Sequence, residues 1–200
     1  MGEKLLEWLY GVLASPVRTL NEIAREKPVG PAFLVYLGVA LLVMASNIFG
    51  DGGFAVLEES MAELGVFIPS SVIIAGALVF AVVSIFIITA LLHLLARLFG
   101  GRGSYRNLFS AYAFADFPMI ISVPVTFIAT LVGTVGAILG GLVTFGLSIW
   151  VIVLQVIALR ESHGLSTGAS IGAYVIHFVI IIAIPVAIAV AIIAALFVSI

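Results

Sequence analysis

The sequence has no cysteine and very little charge. The first absence removes disulfides, thiolate metal centres and thiol nucleophiles together, and it leaves the redox compartment unreadable. The second absence is more telling. Charged residues make up 9% of 200, where soluble domains carry about 25%. Hydrophobic residues make up 64%. A chain this apolar has too little polar surface to face water, so the bilayer is its solvent. The net charge of −2 offers no basic footprint for nucleic acid. The length suits one compact helical unit, a single domain over 1–200, with no room for a second soluble one. No apolar core followed by a small-residue cleavage site opens the chain, so no signal peptide is expected.

Catalytic signatures are missing as well. There is no His-Glu-x-x-His, no P-loop and no dinucleotide fingerprint. A Ser–His hydrolase can be written from residue types alone. Asp116 is the only acid inside an apolar stretch, so no paired carboxylates are available. The sequence is therefore read as non-enzymatic, with no catalytic residue, no cofactor and no metal.

What is present is a series of long apolar runs. Residues 1–30 are too charged to cross a membrane. Leu5, Leu6, Leu9, Val12 and Leu13 recur at helical spacing, then Val17, Leu20, Ile23 and Ala24 after a Ser15-Pro16 helix start. This amphipathic segment either lies in the interface, with Trp8 and Tyr10 at headgroup depth, or packs on the ends of a bundle. Spans are expected at about 31–49, 70–99, 112–133, 142–159 and 171–198. Gly50-Asp51-Gly52-Gly53 ends the first. Gly133, Gly136, Gly140 and Gly141 mark a tight reversal before the fourth. Pro185 is expected to kink the fifth. The fold class is all-α: an integral membrane helical bundle of five transmembrane helices behind one or two amphipathic cytoplasmic helices.

Orientation follows from the basic residues. Lys4, Arg18, Arg25 and Lys27 precede the first span, Arg97, Arg102 and Arg106 follow the second, and Arg160 follows the fourth. No Lys or Arg occurs elsewhere. The positive-inside rule then places the N-terminus in the cytoplasm and the C-terminus outside.

Three stretches carry a resemblance. They are Ser15-Pro16-x-x-Thr19-x-x-x-Ile23 with Glu26-Lys27-Pro28, then Gly100-Gly101-Arg102-Gly103-Ser104-Tyr105, and finally the run from Ala158 to Gly168 containing Arg160-Glu161-Ser162-His163-Gly164. Together they resemble a prokaryotic-type member of the Yip domain family, small multi-pass proteins named for interaction with Ypt/Rab GTPases. The resemblance covers essentially the whole chain. It implies five spans with a cytoplasmic N-terminus, residence in a prokaryotic cell membrane, and a role as scaffold or adaptor. The Asp-Leu-Tyr-Gly-Pro motif of the eukaryotic members has no match in this N-terminus.

Two sets of residues are candidates for function. His93, Asp116, Gln155 and His177 lie on four different spans, at estimated depths of about 9, 12, 8 and 13 Å from one face if each helix is continuous. Ionisable groups inside spans are costly and mark sites by default. Such a layer either exchanges protons or binds ions in a small transporter or channel-like protein, or serves as structural hydrogen bonding between helices. The second set is the basic face: Arg18, Arg25, Lys27, Arg97, Arg102, Arg106 and Arg160. It suits anionic lipid headgroups or a protein partner, and it also sets topology. Ala183, Ala187, Ala191 and Ala195 recur every fourth residue, a small-residue stripe that fits packing within the bundle or a homodimer face.

Overall fold

The computed structural model describes residues 2–49 and 53–198, and all regular structure among them is helical. Two short helices, α1 (Gly2–Ala14) and α2 (Pro16–Glu26), lead into α3 (Val29–Phe49). After α4 (Gly53–Glu63) come α5 (Ser70–Leu98), α6 (Tyr105–Ala115), a 3-10 turn (Phe117–Ile121) and α7 (Ser122–Val132). The chain ends in α8 (Thr134–His163) and α9 (Thr167–Val198). Five units are long and apolar enough to cross a bilayer: Val29–Ile48, Ser70–Leu98, Tyr105–Val132, Thr134–His163 and Thr167–Ala191. The Gly50–Gly52 part of the expected stop after the first span lies outside the described residues.

The third unit is not one continuous helix. Pro118 lacks an N–H and crowds the preceding turn, so α6 stops at Ala115 and a tighter 3-10 turn follows. Met119 N then donates to Asp116 O at 3.0 Å, and the Ser122 hydroxyl donates to Met119 O at 2.6 Å. These bonds satisfy carbonyls that a break inside a membrane would leave bare. The depth assigned to Asp116 on a continuous helix is corrected accordingly: Asp116 sits at the break itself.

The reversal before α8 is tighter than the glycine cluster suggests. Gly133 alone turns the chain, with φ 68° and ψ −145°, a region open essentially to glycine. The fourth crossing helix therefore begins at Thr134, not near residue 142. Gly136 and Gly140 lie inside α8 and let it close on α7. A Cβ on Gly136 would fall 2.3 Å from Ala129 O, and one on Gly140 would fall 2.9 Å from Ala129 Cβ.

Helices α1 and α2 pack on the bundle instead of lying with their apolar faces in lipid. Trp8, Val12, Leu20, Ile23 and Ala24 are buried, and α2 runs against α6 and α8. Trp8 meets the edge of Phe114 with ring centroids 5.6 Å apart. The alternation of apolar and polar faces that signals an interfacial helix is the same alternation a docked helix needs. Most of the buried core gathers at this end, where Leu20, Leu92, Leu108, Phe109, Phe114, Leu154 and Leu159 are fully enclosed. The far end of α9 is different: residues 181–190 are all exposed. Ala183, Ala187 and Ala191 therefore face outward, while the side chain of Ala195 lies outside the described set.

Candidate functional site

The end of the bundle that carries the basic residues is assembled from the three motif stretches, which are far apart in sequence. The Gly100–Gly103 turn lies directly on the end of α8. Arg102 N donates to His163 O at 3.0 Å. A Cβ on Gly103 would lie 2.0 Å from Ser162 O, and one on Gly101 would lie 2.9 Å from His163 Cβ. Those glycines are there for close approach of one backbone to another. The first stretch joins through side chains: Asn21 Nδ2 on α2 donates to Glu161 Oε2 at 2.6 Å. Glu161 also pairs with Arg160 at 2.8 Å, and Arg160 reaches Thr167 Oγ1 at 3.2 Å, closing the short α8–α9 connection. Thr19 and Ile23, the spaced positions of the first motif, are buried beneath.

At the outer edge Lys4 Nζ pairs with Glu26 Oε1, and the Glu26 hydrogen bond holds the ammonium above the usual lysine range. Arg18 and Glu22 do not pair. Glu22 accepts instead from Trp8 Nε1 at 3.1 Å. Of the seven basic residues of the candidate face, Arg160 is engaged by Glu161. Arg18, Arg25, Lys27, Arg97, Arg102 and Arg106 are exposed and make no ion pair among the described residues.

One layer deeper, the four polar residues expected to converge separate into two groups. Asp116 and Gln155 meet: Gln155 Nε2 donates to Asp116 Oδ1 at 2.6 Å. The Gln155 carbonyl in turn accepts from the Tyr174 hydroxyl at 2.5 Å. His177 packs its ring 5.6 Å from that of Tyr174, but neither of its ring nitrogens has a partner among the described residues, although it is buried. Tyr112 on α6 is buried as well. Tyr36 shares with Asp116 and Gln155 a cleft of about 360 Å³ between α3, the 3-10 turn and α8.

His93 belongs to the other group. Its Nδ1 lies 2.8 Å from His163 Nε2, and His163 Nδ1 lies 2.9 Å from Ser162 Oγ. The Ser162 hydroxyl donates to Leu159 O at 3.2 Å. With that proton committed, His163 Nδ1–H donates to Ser162 Oγ. His163 Nε2 is then the acceptor for His93 Nδ1–H. The chain of bonds ties the end of α5 to the end of α8, beside the glycine turn.

Sequence reasoning missed His163, Ser162 and Tyr174. The expected fourth span stops at 159, yet α8 continues to His163 before Gly164 takes the left-handed conformation that ends the helix. A signal for Tyr174 existed: it sits three residues before His177, on the same helical face. No group of three or more His, Asp or Glu suited to a metal ion occurs among the described residues. The arrangement can cross-link helices, hold a proton between paired groups and present free cations at one end.

No curated protein and no solved structure matches the chain. The sequence profile of the Yip1 domain, however, matches residues 10–198, which take in all three motif stretches and all five apolar crossings, and the chain belongs to that family.

Proposed function

We propose that this multi-pass membrane protein is a non-enzymatic adaptor, a prokaryotic-type Yip1 member that recruits an acidic partner to its cytoplasmic face. One observation carries the reading. Six cations, Arg18, Arg25, Lys27, Arg97, Arg102 and Arg106, stand exposed and unpaired among the described residues, on helices and a turn that dock together. A charge that only sets topology needs no fixed position. Here α2 and the Gly100–Gly103 turn are both anchored to α8, so the basic groups are held on rigid supports. Rigid presentation lowers the ordering cost of binding. The cytoplasmic assignment rests on the distribution of Lys and Arg among the connections. The stripe of Ala183 and Ala187, exposed on α9, is assigned to a homodimer contact within the membrane.

The test is a photocrosslinking residue at Arg106 in native membranes. An adaptor yields a discrete protein adduct that disappears when Arg97, Arg102, Arg18 and Arg25 are changed to Gln. Adducts to lipid alone contradict the reading.

A second reading, a small transporter, is favoured by the cleft beside Asp116. It is served less well by the rest of the layer, since His93 is bonded to His163 and His177 packs on Tyr174. Ion or proton flux in proteoliposomes that Asp116→Asn abolishes is the result that favours it.

A further inference from the structure

One concavity at the basic end is not part of the buried polar network. It is a groove of about 530 Å³ between α1 and the first turns of α3, and none of the six free cations lines it. Its walls are apolar: Leu5 and the ring of Trp8 on one side, Leu34 and Val35 on the other. Leu34 is exposed, so the groove opens towards the lipid that surrounds the first span. At its mouth stand the two charges of the Lys4–Glu26 pair, both still accessible to solvent. The groove thus joins a hydrocarbon trough to one cation and one anion held side by side.

We propose that this groove binds one phosphatidylethanolamine molecule, its acyl chain along Leu5, Leu34 and Val35, its phosphate on Lys4 and its ammonium on Glu26. The charge pattern separates this lipid from the others. An anionic headgroup meets Lys4 but also the Glu26 carboxylate beside it. A headgroup with its own cation engages both members of the pair. Ethanolamine offers N–H donors that a carboxylate can accept in charge-assisted bonds. Choline has none, and the aromatic face that would suit it is already occupied, with Lys4 Nζ 5.3 Å from the Trp8 centroid. Lys4 has three donors and uses one on Glu26, while Glu26 keeps its second oxygen. The pair can therefore engage a zwitterion without separating.

The groove's role does not depend on the adaptor reading, because none of its residues belongs to the six free cations. The experiment reconstitutes the full chain in vesicles containing equal parts phosphatidylethanolamine, phosphatidylcholine and phosphatidylglycerol. Mild detergent extraction and native mass spectrometry then count the lipids retained. The wild type retains phosphatidylethanolamine in preference to both others. Glu26→Gln reduces that preference about fivefold, the worth of one surface charge contact. Leu34→Trp, which fills the trough from an exposed position, abolishes retention. Both changes are at solvent- or lipid-exposed side chains, and thermal unfolding confirms that each variant is folded. Preferential retention of phosphatidylglycerol or phosphatidylcholine overturns the proposal. So does retention that neither substitution alters.

Discussion

Adding one methyl group to Gly103 is the sharpest perturbation of the junction between the motif stretches. Its Cβ would lie 2.0 Å from Ser162 O, 2.8 Å from Ser162 C and 2.9 Å from His163 Cα. All three atoms belong to the backbone at the end of α8, which cannot rotate aside as a side chain can. The turn must lift off. Doing so stretches the neighbouring Arg102 N–His163 O bond of 3.0 Å. Overpacking of a tight contact costs about 1–3 kcal/mol, and loss of one buried hydrogen bond adds about 1 kcal/mol. Gly103→Ala should therefore destabilise the protein by roughly 2–4 kcal/mol. The control is Gly76, inside α5, where an added Cβ meets nothing within 4 Å. There alanine should be neutral or stabilise by about 0.5–1 kcal/mol, since helical glycine is costly. Reversible unfolding in mixed micelles, read by circular dichroism, measures both. Equal stability of Gly103→Ala and wild type refutes the packed junction.

Other outcomes follow from the same geometry. Gln155→Leu strands both the Asp116 carboxylate and the Tyr174 hydroxyl, and should cost more than Tyr174→Phe, which strands one carbonyl for about 1–3 kcal/mol; the same unfolding assay ranks them. Gly136→Ala should disrupt the α7–α8 hairpin, whereas Gly141→Ala, with open space around it, should not; protease sensitivity near residue 133 separates the two. A double-mutant cycle on His93→Ala and His163→Ala should show a coupling of about 0.5 kcal/mol or more, as contacting residues do. Because the chain has no cysteine, Arg102→Cys and Glu58→Cys can be labelled singly from either side of the membrane. An impermeant maleimide should reach the second from outside intact cells and the first only after lysis.

The crossings were legible because lipid imposes a simple demand, long apolar runs with charges at their ends, and 29–49, 70–98 and 167–198 answer it directly. Boundaries failed where glycine had two meanings. Gly133 turns the chain, but Gly136 and Gly140 permit contact between helices, and both roles look alike in sequence. The break at Asp116 had its cause in plain view, in Pro118. What could not be read was which polar groups meet. His93 faced several possible partners at similar depth, and only the rotation of α5 about its axis brings it to His163 rather than Asp116. Docking of α1 and α2 was also hidden, since the faces that bury against a bundle and against lipid have the same composition.

The N-terminal helices, the Gly100–Gly103 turn and the end of α8 pack as one platform at the basic end of the bundle. This packing is tested most directly by electron–electron resonance distances between spin labels at Arg18→Cys and Arg102→Cys, both exposed positions, in lipid nanodiscs. The platform predicts a single narrow distance distribution that broadens in Gly103→Ala. A broad distribution in the otherwise native protein, with α2 free to move over the lipid surface, contradicts it.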